Sequence, residues 1–403
     1  MPPDDLVREV FSEIERLRPV DLAAELVRLP SHPGLDRQEE QVVLALDRYL
    51  GEHGLAVQLE EILPGRPNLM VSIAGAKPGP HLLLCGHTDT VPVNSGEPGF
   101  GLSGEIRDGR LHGRGAVDMK GAVAAMAVAI VALDRRLPAG RVTLAAVIDE
   151  EMESLGAEQL VETSFRAEGA VVGEPTGNRV ALGHKGLEWL EVNLQGRSAH
   201  GGTPEQGVNA ISAAGEFVAM VERELKPRLA ARRHPILGPP TLNFGSVRGG
   251  DQPSTVAASC ALALDRRTVP GESFQSIVSE LTELLARVER NYPGLHTVVR
   301  RVSGGMGNLL HVALVTPLES PLARAADSAR RRVTGKSGDF TTFPAWTDGA
   351  LLSGYSGIPT IVLGPGDLAL AHSPREAVPV VEILEAAQIY AALALEFCGG
   401  DLA

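Results

Sequence analysis

The stretch His81-Leu82-Leu83-Leu84-Cys85-Gly86-His87-Thr88-Asp89-Thr90 runs from an unbroken apolar segment, through a glycine, into two groups that can bind metal or carry protons. A short apolar run bounded by turn formers or charge is the pattern of a strand buried on both faces. The pattern recurs at Val142 to Ile148, Ala170 to Val172 and Thr360 to Leu363. Helix-length stretches lie between these runs, notably Met119 to Leu133 and Leu155 to Glu162. Such alternation predicts an α/β sheet with helices on both sides.

The residues that follow each run carry the chemistry. His87 and Asp89 follow the first, Glu150 and Glu151 the second, Glu174 the third, and His372 lies in the loop after Leu363. In open α/β sheets ligands bind outside the carboxyl ends of the strands, so these side chains can converge on one rim. Asp118 directly precedes the Ala-rich helical stretch, where a helix N-cap is a sufficient role by itself. Three successive acids, Asp149-Glu150-Glu151, repel one another unless solvent or cations neutralise them. Together His87, Asp118, Glu151, Glu174 and His372 supply two imidazoles and three carboxylates, a donor set suited to zinc and tolerable to cobalt or manganese. One glutamate of the adjacent pair is then free to act as general base toward a water.

After Gly186 the strands become apolar on one side only, at Leu187, Trp189 and Leu194, then Leu242 and Phe244, then Ala261 and Leu264. Helical stretches Gly207 to Arg228 and Ser273 to Asn291 separate them, which predicts an inserted α+β domain. The Gly-rich segment Ser303 to Asn308 returns the chain to the α/β pattern. The expected organisation is a catalytic domain in two parts, 1–186 and 302–403, around an insert at 187–301.

Composition narrows the function classes. A chain of 403 residues with 44% hydrophobic and 22% charged residues is long enough for two folded domains. A formal charge of −13 without a Lys/Arg block argues against a nucleic-acid partner. The longest apolar run, Ala122 to Leu133, falls well short of the roughly 20 residues that cross a bilayer, so no membrane partner is expected. Cys85, Cys260 and Cys398 are odd in number and widely spaced, and Met1 to Arg18 lacks the pattern of a signal peptide. A cytoplasmic setting is the expectation.

Four motifs in order, Gly86-His87-Thr88-Asp89-Thr90-Val91-Pro92, the segment Gly113 to Gly121 around Asp118, Asp149-Glu150-Glu151 and Gly173-Glu174-Pro175-Thr176, resemble the family of acetylornithine deacetylase, succinyl-diaminopimelate desuccinylase, carboxypeptidase G and aminoacylase-1. The resemblance spans about Leu22 to Phe397. It implies a zinc-exopeptidase-like fold, a mixed and mostly parallel sheet, with a ferredoxin-like insert serving as lid and dimerisation domain. It also implies two zinc ions per subunit, one on His87 and Glu174, the other on Glu151 and His372, with Asp118 bridging. Asp89 would orient His87 and Glu150 would be the general acid/base. His200, within Gly196 to Gly202, would stabilise the oxyanion in the partner subunit of a homodimer. Arg267 and Asn243 would bind a small carboxylate-bearing amide substrate.

The implied reaction is deacylation of an N-acyl amino acid, with dipeptidase or carboxypeptidase cleavage as the alternative. A non-catalytic metal- or peptide-binding descendant is a third reading, opposed by the retained Glu150. Departures from the family pattern at Ser254, Ala257, Glu153 and Arg375 touch no proposed ligand and bear on the substrate pocket. The extra carboxylate of Glu153 favours a cationic substrate group.

Overall fold

The computed structural model describes residues 2–93, 101–302 and 307–399, so most of the Gly-rich return segment, 303–306, lies outside the described residues. The chain forms two compact units. One runs up to His184 and resumes at Leu314, with a short stretch ending at Leu310. The other begins at Lys185, continues through the strand ending at Arg301 and includes His311–Ala313.

In the first unit, strands β1 (Val57–Leu63), β2 (Arg66–Ala74), β3 (Lys77–His87), β4 (Ala139–Val147) and β5 (Gly169–Val172), with Thr360–Val362, form one sheet in the order β1-β2-β4-β3-β5-(Thr360–Val362). The β1/β2 and β2/β4 pairs are antiparallel and the remaining three are parallel. The sheet is thus mixed and mostly parallel. The parallel strands are the apolar runs: Leu82 to Cys85, Leu144 to Val147 and Ala170 to Val172 are all buried, as strands covered on both faces must be. Helix Lys120–Leu133 packs on this sheet with every residue buried. A helix apolar nearly all round has no face to give to water. Its one charged member, Lys120, places Nζ 2.6 Å from the Leu29 carbonyl, and burial lowers its pKa to about 7.

In the second unit, β6 (Gly186–Gln195), β7 (Thr241–Gly249), β8 (Ser259–Thr268) and β9 (His296–Arg301) form an antiparallel sheet in the order β7-β8-β6-β9. Helices Ala210–Met220 and Phe274–Asn291 complete a βαββαβ, ferredoxin-like arrangement. Alternate residues of β8 are buried, and Leu262 and Leu264 meet Phe217, Leu281 and Leu285 in the unit's own core. The helix expected over Gly207 to Arg228 is divided. Asn209 caps Ala210–Met220 by accepting the amides of Ile211 and Ser212, and a π-helical turn over Val221–Leu225 then leads into Lys226–Ala231. Pro227 has no N–H to bond the preceding turn, which accounts for the widening there. Among the described residues no helix is long and apolar enough to cross a membrane.

Candidate active site

His87 ends β3, the Asp149–Glu151 segment follows β4 and Glu174 follows β5, so parallel register delivers all of them to one rim. The N-cap role that position alone allows Asp118 is not the one it takes. Helix Lys120–Leu133 starts one residue later, behind Met119, with no side-chain cap. The Asp118 carboxylate is instead split between two imidazoles: Oδ1 lies 3.0 Å from His87 Nε2, and Oδ2 lies 3.2 Å from His372 Nε2. Each imidazole meets a second acid, Glu174 Oε1 at 3.6 Å from His87 Nε2 and Glu151 Oε1 at 3.0 Å from His372 Nε2. Glu150 joins His87 and Glu174 in a group whose candidate ligand atoms all lie within 4.8 Å of one another, as do those of His87, Asp118 and Glu151.

Asp89 organises this rim from behind. Its two carboxylate oxygens accept the backbone N–H groups of Glu150 (3.2 Å) and Glu151 (3.0 Å). The His87 Nδ1 lies 3.1 Å from the Asp89 carbonyl oxygen and 3.4 Å from Oδ1. Because a carbonyl oxygen only accepts, Nδ1 carries a proton and Nε2 faces the acids, the tautomer that a metal-binding imidazole needs. Asp149 and His372 both sit at positive φ, 71° and 56°. Non-glycine residues in the left-handed region are uncommon and cluster at functional sites.

The electrostatics describe a site crowded with negative charge. Burial and then the neighbouring acids push the carboxyl groups of Glu150, Glu151 and Glu174 up. Burial acts the same way on Asp118, but hydrogen bonds with His372 and His87 outweigh it and hold its pKa down. The hydrogen bonds to Asp118 and Glu151 push His372 up to about 10. Burial opposes charge on His87, yet its bonds to Asp118 and Asp89 and the field of Glu174 raise it. Two buried and two half-buried acids facing two imidazoles are poorly balanced by protons alone. The donor set, two imidazole nitrogens and oxygens from several carboxylates, fits zinc or a similar divalent cation.

Sequence reasoning missed the group that holds Asp118 in place. Glu376 is 2% exposed. Its Oε1 accepts the amides of Gly115 (2.8 Å), Val117 (3.1 Å) and Asp118 (3.3 Å), while Oε2 pairs with Arg114. Lying four residues after His372, it ties the loops bearing two of the candidate ligands together. A lone glutamate before Ala377-Val378 carries no such signal in sequence. A second omission is Asp348, fully buried with one carboxylate oxygen lacking a hydrogen-bond partner, whose pKa burial raises to about 7.

The remaining candidates lie in the second unit. His200 is exposed in the loop after β6, and its Nδ1 accepts the Gly202 N–H at 3.0 Å. Nε2 then bears the proton of the neutral ring, so the exposed edge is a donor. Arg267 on β8 gives Nε and an Nη to Asp265 (2.9 and 3.1 Å), leaving only part of its fork for a ligand. Asn243 pairs with Asp265 across β7/β8, beside Trp189, whose Nε1–H donates to the same Asp265 carboxylate at 3.1 Å. Arg267 pairs with Leu187 at the start of β6, whereas His200 lies beyond its end at Gln195. The strand from Leu187 to Gln195 alone spans about 26 Å, at about 3.3 Å per residue. Pairing of Ala199 and His200 with Val256 and Thr255 continues the ladder away from Arg267. The structure thus keeps Arg267 with Asn243 and separates both from His200.

The sequence profile described as Peptidase family M20/M25/M40 matches residues 83–396. An acetylornithine deacetylase of Proteus mirabilis (strain HI4320) is 29% identical over 392 residues, covering 94% of this chain and 96% of that protein. One from Aliivibrio fischeri (strain MJ11) is 31% identical over 352 residues, covering 85% and 87%. Among solved structures, the aminopeptidase PepT of Bacillus cereus ATCC 10987 superposes with a TM-score of 0.78 at 22% identity, covering 94% of this chain and 98% of that one.

Two predictions follow from the geometry of the rim. Glu376→Ala strands three buried amides and Arg114, and should lower the unfolding free energy by about 3 to 5 kcal/mol. Glu376→Gln keeps an oxygen for the amides and should cost less than half as much in urea unfolding; equal losses would mean that the amide bonds contribute little. Because both imidazoles hold protons tightly without metal, and a metal must displace those protons, divalent-cation affinity should rise with pH between 6 and 8. The expected slope is at least about tenfold per pH unit in a chelator competition; a flat profile would show that the imidazoles are neutral before binding.

Proposed function

The chain belongs to Peptidase family M20/M25/M40, a family of hydrolases acting on amide bonds, and from that premise we propose that it removes the acyl group from a small N-acyl amino acid. The observation that carries this reading is the Asp118 carboxylate with one oxygen on each of two imidazoles, each imidazole backed by its own glutamate. His87 and Glu174 would hold one divalent cation and Glu151 and His372 a second, with Asp118 shared; zinc suits these ligands best. Cations bound there would acidify a water and polarise the scissile carbonyl.

The chain's own groups supply the remaining steps. Glu150, held by the Asp89 carboxylate through its backbone N–H, takes the proton from the attacking water and returns it to the leaving nitrogen. Burial and Glu174 raise its affinity for that proton. Asp89 keeps His87 in the correct tautomer. His200 donates Nε2–H to the oxyanion, and Arg267 and Asn243 bind the substrate's carboxylate end. Since Arg267 and His200 lie at opposite ends of one sheet, one small substrate cannot use both from a single chain. This favours a homodimer in which the partner supplies His200.

Similarity to acetylornithine deacetylases over most of the chain supports deacylation of an acyl amino acid with a cationic side chain. The half-buried Glu153, in the turn after the paired glutamates, agrees with a cationic group in the substrate.

Glu150→Gln should lower turnover of N-acetyl-L-ornithine by about 100- to 10,000-fold while two metals per chain remain bound by elemental analysis. Hydrolysis of dipeptides, with none of acyl amino acids, by the wild type would replace deacylation with dipeptidase action. Mixing inactive His200→Ala with inactive Glu150→Ala subunits should regenerate activity, because the mixed dimer contains one intact site. No recovery despite subunit exchange would mean that His200 acts within its own chain or not at all.

A further inference from the structure

A cavity of about 420 Å³ opens in the first unit on the seam between the loops that carry Glu174 and His372. Its size falls within the range of small-molecule pockets, roughly 300 to 1,000 Å³. The seam is tightly bonded. Thr176 N–H donates to the Gly364 carbonyl (3.1 Å), Thr176 Oγ1 accepts the Gly364 N–H (3.2 Å), and Gly177 N–H donates to the Gly366 carbonyl (2.8 Å). Thr176 lies two residues after Glu174, and the cavity wall at Leu370 lies two before His372. None of the groups given a part in hydrolysis lines the cavity.

The lining carries both signs of charge at separate places. The side chain of Arg110, on the strand Arg110–His112, makes one hydrogen bond, to the Ala377 carbonyl (3.2 Å), and no ion pair among the described residues. Most of its fork is therefore available for a carboxylate, the geometry it matches best. The neighbouring Arg179 is already paired with Asp339. Of the lining acids, Asp367 commits Oδ1 to the Ala369 N–H (3.0 Å) and Glu382 commits Oε2 to the Gly366 N–H (2.8 Å). Each keeps a second oxygen for a cation. Phe343 and Leu370 add apolar surface to the wall. One guanidinium with most of its fork open, two half-used carboxylates and an apolar wall suit a zwitterion with a hydrocarbon side chain better than a simple anion, which the two acids would repel.

We propose that this cavity binds a free α-amino acid, with its carboxylate on Arg110, its ammonium on Asp367 and Glu382, and its side chain on Phe343 and Leu370. Occupancy braces the Thr176/Gly364 seam and so alters the spacing of the two loops that bear Glu174 and His372. Binding stands on the cavity alone; its effect on turnover rests on the proposed hydrolase reading, in which a free amino acid is a product.

Calorimetric titration of the full-length, metal-loaded protein with L-leucine tests the binding. L-leucinamide and 4-methylpentanoate, each lacking one charge of the zwitterion, serve as comparisons. Saturable leucine binding is expected, weakened at least about tenfold in Arg110→Ala, in Glu382→Gln and for both analogues. Glu382→Gln retains an oxygen for the Gly366 amide, so its loss of binding would not reflect a collapsed loop. Turnover without added leucine should stay within about twofold of wild type in Arg110→Ala, while the response of turnover to leucine disappears. Undetectable leucine binding, equal binding by the variants, or equal binding of either analogue would overturn the proposal. Absence of turnover on every acyl amino acid would instead count against the hydrolase reading and leave the calorimetric result to decide the site.

Discussion

Four carboxylates gathered around two imidazoles at the end of a buried sheet are the constraint on which the rest of the first unit depends. Asp118, Glu150, Glu151 and Glu174 are largely withdrawn from water, and each raises the cost of ionising another. At close range in a medium of low polarity such repulsion outweighs the net worth of ordinary hydrogen bonds. The arrangement persists because each acid is held by the backbone that carries it, and those backbones are fixed by groups outside the cluster.

The holding groups form a second layer. Asp89 accepts two successive amides and so sets where Glu150 and Glu151 point. Arg66 forks onto Glu39 (2.6 Å at both nitrogens) and reaches Asp149 at 2.7 Å, neutralising the acid nearest the paired glutamates. Glu376 gathers three amides of the Asp118 loop. Buried ion pairs of this kind contribute little net stability. Their effect here is positional, since removal of either partner leaves an uncompensated charge beneath the site.

Much of this was legible in sequence for a specific reason. Strands covered on both faces write themselves as apolar runs, and parallel strands share one carboxyl end, so His87, Glu150, Glu151 and Glu174 could be assigned to one rim from order alone. Asp118 and His372 were harder, because nothing local to either residue says that one carboxylate would divide between two imidazoles. Position alone leaves Asp118 either a helix cap or a metal ligand, and the start of the helix at Lys120 removes the first of these roles. Glu376, Asp348 and Arg66 were invisible, since a buried charge is recognisable only through partners distant in sequence: Arg66 lies 27 residues from Glu39 and 83 from Asp149. The π-helical turn before Pro227 escaped notice because the apolar periodicity of its helix continues across it.

The glycines of two recognition motifs have a role that their backbone angles do not suggest. Neither Gly86, before His87, nor Gly173, before Glu174, has positive φ. A Cβ on Gly86 would stand 2.7 Å from Met119 Cε, and one on Gly173 would stand 2.7 Å from Cε of both Met119 and Met126. Met119, the residue after Asp118, therefore fills the space that two absent side chains leave between β3 and β5. Three residues adjoining three candidate ligands thus pack against one another directly beneath them. Close-packed interiors transmit displacement of a single methyl group to their neighbours. An alanine at either glycine would have to displace the flexible end of Met119, and at Gly173 it would also press on Ala122 Cβ at 2.9 Å, so these glycines set the packing beneath the acids through volume.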